Sequence, residues 1–332
     1  MPTLISDLQA GLWGLLDAFS NPHKRVFVPY LLTTLLIAAV LWRRHARHES
    51  TPRAGGYVIG GMSDFKSYIW SSKTWFGSSA RTDYALYALN VALTALVVAP
   101  YLLSGATLAA LISEKLTLWF GPSQLIPHWG IVPIAIAYTI TFALFSDFTR
   151  FFLHYLAHRV GWLWQFHKVH HSATVMNPMT LYRAHPLEHL LFLLRGIFAF
   201  GLVTGLFNYG FHSQVMTVNL LGVNIIIFTF NVLGANLRHS HIWLSYGDRL
   251  EHIFISPAQH QLHHSNEIRF YHKNMGSLFA FWDWMFGTLC LSKGNEKIRF
   301  GIDEDEMPLF ETFWGNLLSP FRLVYHRVVH SK

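Results

Sequence analysis

The sequence predicts an all-α fold: an integral membrane helical bundle of about four to five spans under a histidine-rich helical cap. Three observations predict it. Of 332 residues, 52% are apolar and only 13% charged, against about 25% charged in ordinary soluble domains. That is too few charges to clothe a globule of this size. Apolar runs recur at lengths near the roughly 30 Å of a bilayer core. Histidines number 21, more than the 18 acidic residues together, and ionisable side chains are costly near lipid unless they serve a function.

Residues 1–25 carry a short apolar stretch at 12–19, broken by Asp17; it is too short to cross and reads as interfacial. The chain start lacks the basic region of a secretory signal peptide. The first span, 26–42, is charge-free and stops at Arg43, Arg44 and Arg47. Residues 43–82 read as a polar loop. The run 84–112 would be about 43 Å long as one helix and contains Pro100. A kinked or tilted span and a tight re-entrant pair are both open there. A span at 130–145 leads into Asp147, and two more follow at 190–207 and 215–233. Arg195 within the former snorkels, pairs, or marks a partly embedded helix. From Asn236 onward the chain is polar, aromatic and histidine-rich, without a further span.

Charge orients the bundle. The loops 43–83, 146–189 and 234–332 hold 7, 4 and 10 of the 25 lysines and arginines. By the positive-inside rule these three regions, and the histidines in them, face the cytoplasm. The net charge of +7 is explained by anionic lipid headgroups, and no nucleic-acid partner is expected. Cys290 is the one cysteine, so a disulfide, a thiolate zinc site and an iron–sulfur cluster are all excluded within one chain.

The histidines cluster in register with a helix. His154 and His158 stand at i and i+4; His167, His170 and His171 at i, i+3 and i+4; His260, His263 and His264 repeat that pattern. Each spacing aims its imidazoles from one helix face. His239 and His241 lie just upstream of the last group. Eight clustered imidazoles and one of this pair exceed the needs of one metal and suit two, with four or five ligands each. Neutral imidazole suits iron, zinc, copper or nickel. Nitrogen-only ligation fits iron that handles dioxygen, and composition leaves zinc open. Isolated histidines such as His128 and His326 read as ordinary hydrogen-bonded residues.

The order His-x-x-x-His, His-x-x-His-His and a late His-x-x-His-His resembles the sterol desaturase and fatty acid hydroxylase superfamily, which are membrane-bound di-iron oxygenases. Asn177-Pro178, the corner from Arg183 through His185-Pro186 to Glu188, Asn274-Met-Gly276 and the stretch from Trp282-Asp283 to Phe286-Gly287-Thr288 extend the similarity over about 135–290. The resemblance implies nine ligands: His154, His158, His167, His170, His171, His239, His260, His263 and His264. His239 is preferred over His241, which stands where the family often has Asn. His185, Glu188, His241, Asn274 and Asp283 are expected to support the ligands from behind, as metal-bound imidazoles require of their free N–H. A helix start at His185-Pro186 and a turn at Asn274 are the plainer readings.

The chain then divides into 1–82 (interfacial segment, first span and loop), 83–295 (membrane-embedded catalytic unit, similar to fatty acid hydroxylases) and 296–332 (cytoplasmic tail). The implied chemistry is hydroxylation or desaturation of a sterol, fatty acyl chain or related lipid. Two iron ions, dioxygen and an external electron donor would serve it. No nucleotide-binding glycine loop or fused cytochrome is recognisable, so a separate ferredoxin or cytochrome with its reductase is the expected partner. Two rival classes fit the sequence less well. A membrane zinc hydrolase would show His-Glu-x-x-His, which is absent. A haem or metal carrier would place its ligands inside the spans, whereas these histidines follow them.

Overall fold

The structure, a computed structural model, describes residues 13–48, 65–99, 101–123, 130–212, 216–294 and 298–329. Part of the expected 43–82 loop, 49–64, lies outside them. The described chain is almost wholly helical, with one two-stranded hairpin. Its principal helices are α1 (Val28–His48), α2 (Ser78–Leu93), α3 (Gly105–Phe120), α4 (Ile131–Arg159), α5 (Gly161–His171), α6 (Pro186–Gly210), α7 (Ile225–Val232), α8 (Pro257–His263) and α9 (Phe313–Val329).

Two helices, α4 and α6, are long and apolar enough to cross a membrane, with only 28% and 22% of their most apolar stretches buried. Ile131, Val132, Ile136 and Ile140 of α4 and Leu191, Leu194 and Phe198 of α6 are exposed. Exposed apolar faces of this extent suit lipid contact. The expectation of four to five spans is therefore corrected to two among the described residues. Each of the other runs fails for a local reason. The 26–42 run continues as α1 into Arg43 and Arg44, and its Tyr30 and Ile37 pack on Phe228 and Gly234. The 215–233 run breaks into strands Asn219–Leu220 and Val223–Asn224 and the eight-residue α7. Between the strands Leu221 and Gly222 both take positive φ, as a tight hairpin turn of primed type requires.

The 84–112 run is broken rather than straight. A π-helical turn at Thr94–Val98 ends α2, and Ser104 caps α3 by accepting from Thr107 N. Pro100, which the sequence places in this run, lies outside the described residues. Thr94 meets His189, Gly105 meets Phe200, and Ile112 meets Gly205. The two pieces thus follow α6 in the same direction, which is the kinked alternative rather than the re-entrant one. Gly201 and Gly205 permit the close approach: a Cβ there would fall 2.6 Å from Leu108 and 2.7 Å from Ile112. A Gly-x-x-x-Gly face of this kind lets helices pack backbone to backbone in a membrane.

The histidine helices gather at one end of α4 and α6. Helix α5 follows α4 directly, and α8 starts at a capping box of Ser256 and Gln259 with Pro257 in its first turn. Asp147 of α4 accepts from Leu278 N, Phe279 N and Trp282 Nε1, tying the loop after α8 to the membrane helix. Residues of the expected tail fold back as α9, where Asn316 bonds Ser172 and Arg183.

Candidate metal centre

Nine imidazoles converge in two groups. His154, His158, His167, His171 and His263 form one; His170, His239, His260 and His264 form the other, and within each group the nitrogens lie within 4.8 Å of one another. Helices α5 and α8 each serve both groups. On each of them the i, i+4 pair enters one group and the intervening histidine the other, because the intervening side chain leaves the helix at a different angle.

The hydrogen bonds fix which nitrogen faces inward. A backbone carbonyl only accepts, so a ring nitrogen against it must carry the proton. His154 Nδ1 donates to Met275 O at 2.7 Å, His170 Nδ1 to Arg183 O at 3.1 Å, and His263 Nδ1 to Lys273 O at 2.7 Å. His167 Nδ1 donates to the Glu188 carboxylate at 2.5 Å. Neutral rings so arranged present Nε2 lone pairs to the interior. The Nε2 atoms face each other. His154 and His167 Nε2 are 3.0 Å apart, His167 and His171 3.1 Å, His239 and His260 3.1 Å, His260 and His264 3.2 Å, and His170 and His239 3.4 Å. Between His154 and His167, both protonated at Nδ1, two lone pairs meet and repel. A shared cation removes the conflict, since nitrogens about 2.1 Å from one ion sit about 3.0–3.4 Å apart. Both nitrogens of His158, Nδ1 of His260 and Nε2 of His263 are buried without a partner, and such orphaned atoms call for an explanation. The donor set therefore fits two metal ions.

Protonation agrees. Burial pushes His167 down to about 3 and His170 to about 4, from 6.5. Burial, reinforced by neighbouring imidazoles, lowers His171, His239, His260, His263 and His264 as well. The rings are neutral at pH 7, the form that binds metal.

The supporting residues fall in different places. Glu188 touches His167 directly. Asp283 accepts from Met275 N, Gly276 N and Thr288 Oγ1 at 2.8, 2.7 and 2.6 Å, so it holds the loop whose Met275 carbonyl receives His154; burial raises its carboxyl to about 6. Gly276 is needed there, since a Cβ would lie 2.7 Å from Asp283 Oδ2. Asn274, at φ 53, donates to Gln259 O and accepts from Cys290 N, bracing α8 beside the Lys273 carbonyl that His263 uses. His185 caps α6 by accepting from Leu187 N and meets Leu317 O through Nε2. His241 points away, to Tyr68 O at 2.6 Å. Neither His185 nor His241 joins the nine nitrogens.

Sequence reasoning missed several contributors. Trp164 packs its ring on His158 and His171 at 4.9 and 5.4 Å, and His272 stands 5.6 Å from His158. Arg183, 1% exposed, bonds Val169 O, Ser172 and Asp83 and so locks the end of α5. A polar cleft of about 390 Å³ opens onto His158, His171 and His263. An apolar crevice of about 240 Å³ between α4, α5 and α6 reaches Glu188 and His167. Aromatic packing and backbone acceptors leave no signature in residue spacing.

The fatty acid hydroxylase family profile matches residues 139–288, which contain every one of the nine histidines. Human alkylglycerol monooxygenase is 25% identical over 182 residues, 55% of this chain and 35% of that protein. The Danio rerio protein of that name is 27% identical over 157 residues, 47% and 31% of the two chains; that of Caenorhabditis elegans is 26% identical over 184 residues, 54% and 33%. The chain thus spans about a third of the length of these curated relatives. No solved structure matches it.

Proposed function

We propose, given that the chain belongs to the fatty acid hydroxylase and sterol desaturase superfamily, that it is a membrane-bound di-iron monooxygenase acting on a lipid C–H bond. The observation that carries this reading is the pair of imidazole groups with inward Nε2 atoms. Relatives named as alkylglycerol monooxygenases favour insertion of oxygen over desaturation, and an ether lipid of the alkylglycerol class as the first substrate to test.

His154, His158, His167, His171 and His263 would hold one iron ion and His170, His239, His260 and His264 the other. Bound iron supplies dioxygen activation and hydrogen abstraction from a carbon far too weakly acidic for any side-chain base. The protein's share is orientation. Glu188 and the Met275, Arg183 and Lys273 carbonyls fix the rings. Two electrons per turnover come from a separate ferredoxin or cytochrome-type donor. Helices α4 and α6 cross the bilayer, broken α2–α3 packs along α6, and the histidine end faces the cytoplasm. The lipid enters sideways from the bilayer.

The test is turnover of hexadecylglycerol by purified protein loaded with ferrous iron, with a ferredoxin and reductase supplied. Donor-dependent oxygen consumption and a product heavier by one oxygen are expected. A product lighter by two hydrogens would make it a desaturase; no oxidation of any lipid would end the reading.

A further inference from the structure

Next to the histidines lies a second cluster, of a single charge sign. Arg150 precedes His154 by one turn of α4, and Arg238 directly precedes His239. Arg25 joins them from the segment before α1, and Arg195 from α6. Arg150 is in electrostatic reach of each of the other three, and all four are in reach of Asp147.

Among the described residues, Asp147 is the one carboxylate in reach of all four. The Asp147 carboxylate is engaged by two backbone amides and Trp282, and no ion pair joins it to an arginine among the described residues. Arg25 donates to Ser277 Oγ at 2.9 Å, Arg238 to Ile255 O at 3.1 Å, and Arg195 to Ser146 O at 2.7 Å. Arg150 has no hydrogen bond among the described residues and stands 5.5 Å over the Phe192 ring. The Nε atoms of Arg195 and Arg238 are buried without a partner, and Arg238 is only 1% exposed. A guanidinium does not shed its proton in a protein. Four of them around one carboxylate leave a net positive charge, and in a medium of low dielectric that repulsion is expensive. Unpaired charge at this depth marks a functional site. Arg25, Arg150 and Arg195 are half-buried, so packing does not seal the cluster.

We propose that these arginines receive an anionic oxygen group, a phosphate or a carboxylate, at the polar end of the lipid that the histidine centre oxidises. The inference rests on the lipid-oxidation reading above and ranks anionic lipids above neutral ones such as hexadecylglycerol as its substrates. One helical turn is about 5.4 Å, so the spacing of Arg150 and His154 puts the oxidised carbon near the charged end of the lipid rather than at its far tip.

The experiment is binding, read without turnover. Metal-loaded protein in non-ionic detergent is titrated with hexadecylglycerol phosphate, palmitate and hexadecylglycerol, and its thermal stability is followed. One of the anionic lipids should bind about tenfold or more tightly than the neutral one, and which one it is distinguishes phosphate from carboxylate. Arg150→Gln should erase that preference at unchanged metal content; Arg25→Gln serves if that variant does not fold. Equal binding of all three lipids by the native protein, or an undiminished preference in the folded variant, overturns the proposal. A protein that prefers anionic lipid yet oxidises none would instead sink the oxidation reading alone.

Discussion

At the scale of single residues, His263 and Glu188 make the sharpest tests. His263→Ala removes one of five imidazoles from its group. Activity should vanish while membrane insertion persists, and metal content should fall below two ions per chain; retained turnover would remove His263 from the ligands. Glu188→Gln keeps the shape but loses the charge that draws the His167 Nδ1 proton. Metal affinity should drop by about 10- to 100-fold, measured by competition with a chelator. Acid provides a third test. His167 and His170 titrate near 3 and 4 in the folded chain, against 6.5 unfolded. Between those values the unfolded chain holds more protons, so stability of the metal-free protein is complete above about pH 6.5 and is lost as pH falls towards 4. Each such imidazole contributes a slope of up to about 1.4 kcal/mol per pH unit. Denaturant midpoints at pH 7 and pH 5 would show it; a flat profile would mean the rings are protonated in place. Eight of the nine converging imidazoles were legible because helical spacing aligns them, and His239 stood out by the family resemblance. Their sorting was not: nothing in His-x-x-His-His says that His170 leaves His167 and His171 for the opposite group. The Met275, Lys273 and Arg183 carbonyls were invisible because any residue has a carbonyl.

At the scale of elements, helix α6 is the member on which both the bundle and the site depend. Its first turn carries Glu188 to His167 and its middle takes α3 against Gly201 and Gly205. Gly205→Leu should push α3 away and destabilise the bundle by about 1–3 kcal/mol, seen as a lower melting temperature in detergent; an unchanged temperature would mean that the α3–α6 contact adds little. Hydropathy located α4 and α6 correctly, since a long apolar run bounded by a cap and charges has few alternatives. It failed at 215–233, where apolar content alone cannot tell a helix from a strand and the Leu221-Gly222 turn decides. For 84–112 it left two shapes open, and the contacts along α6 chose the kinked one.

At the scale of the whole molecule, apolar helices lie at one end and polar machinery at the other, as the composition implied. The site is finished by parts far apart in sequence: Asp83, Arg183 and Asn316 lock α5, while Asp147 and Asp283 lock the loop after α8. The sharing of α5 and α8 between both imidazole groups has a thermodynamic result. Ordering either helix for one ion also sets the nitrogens awaiting the other, so the first binding event prepays the positional entropy of the second. Metal uptake should be cooperative. Native mass spectrometry of metal-free protein under limiting ferrous iron should find empty and doubly loaded chains in abundance, and singly loaded chains below the statistical share.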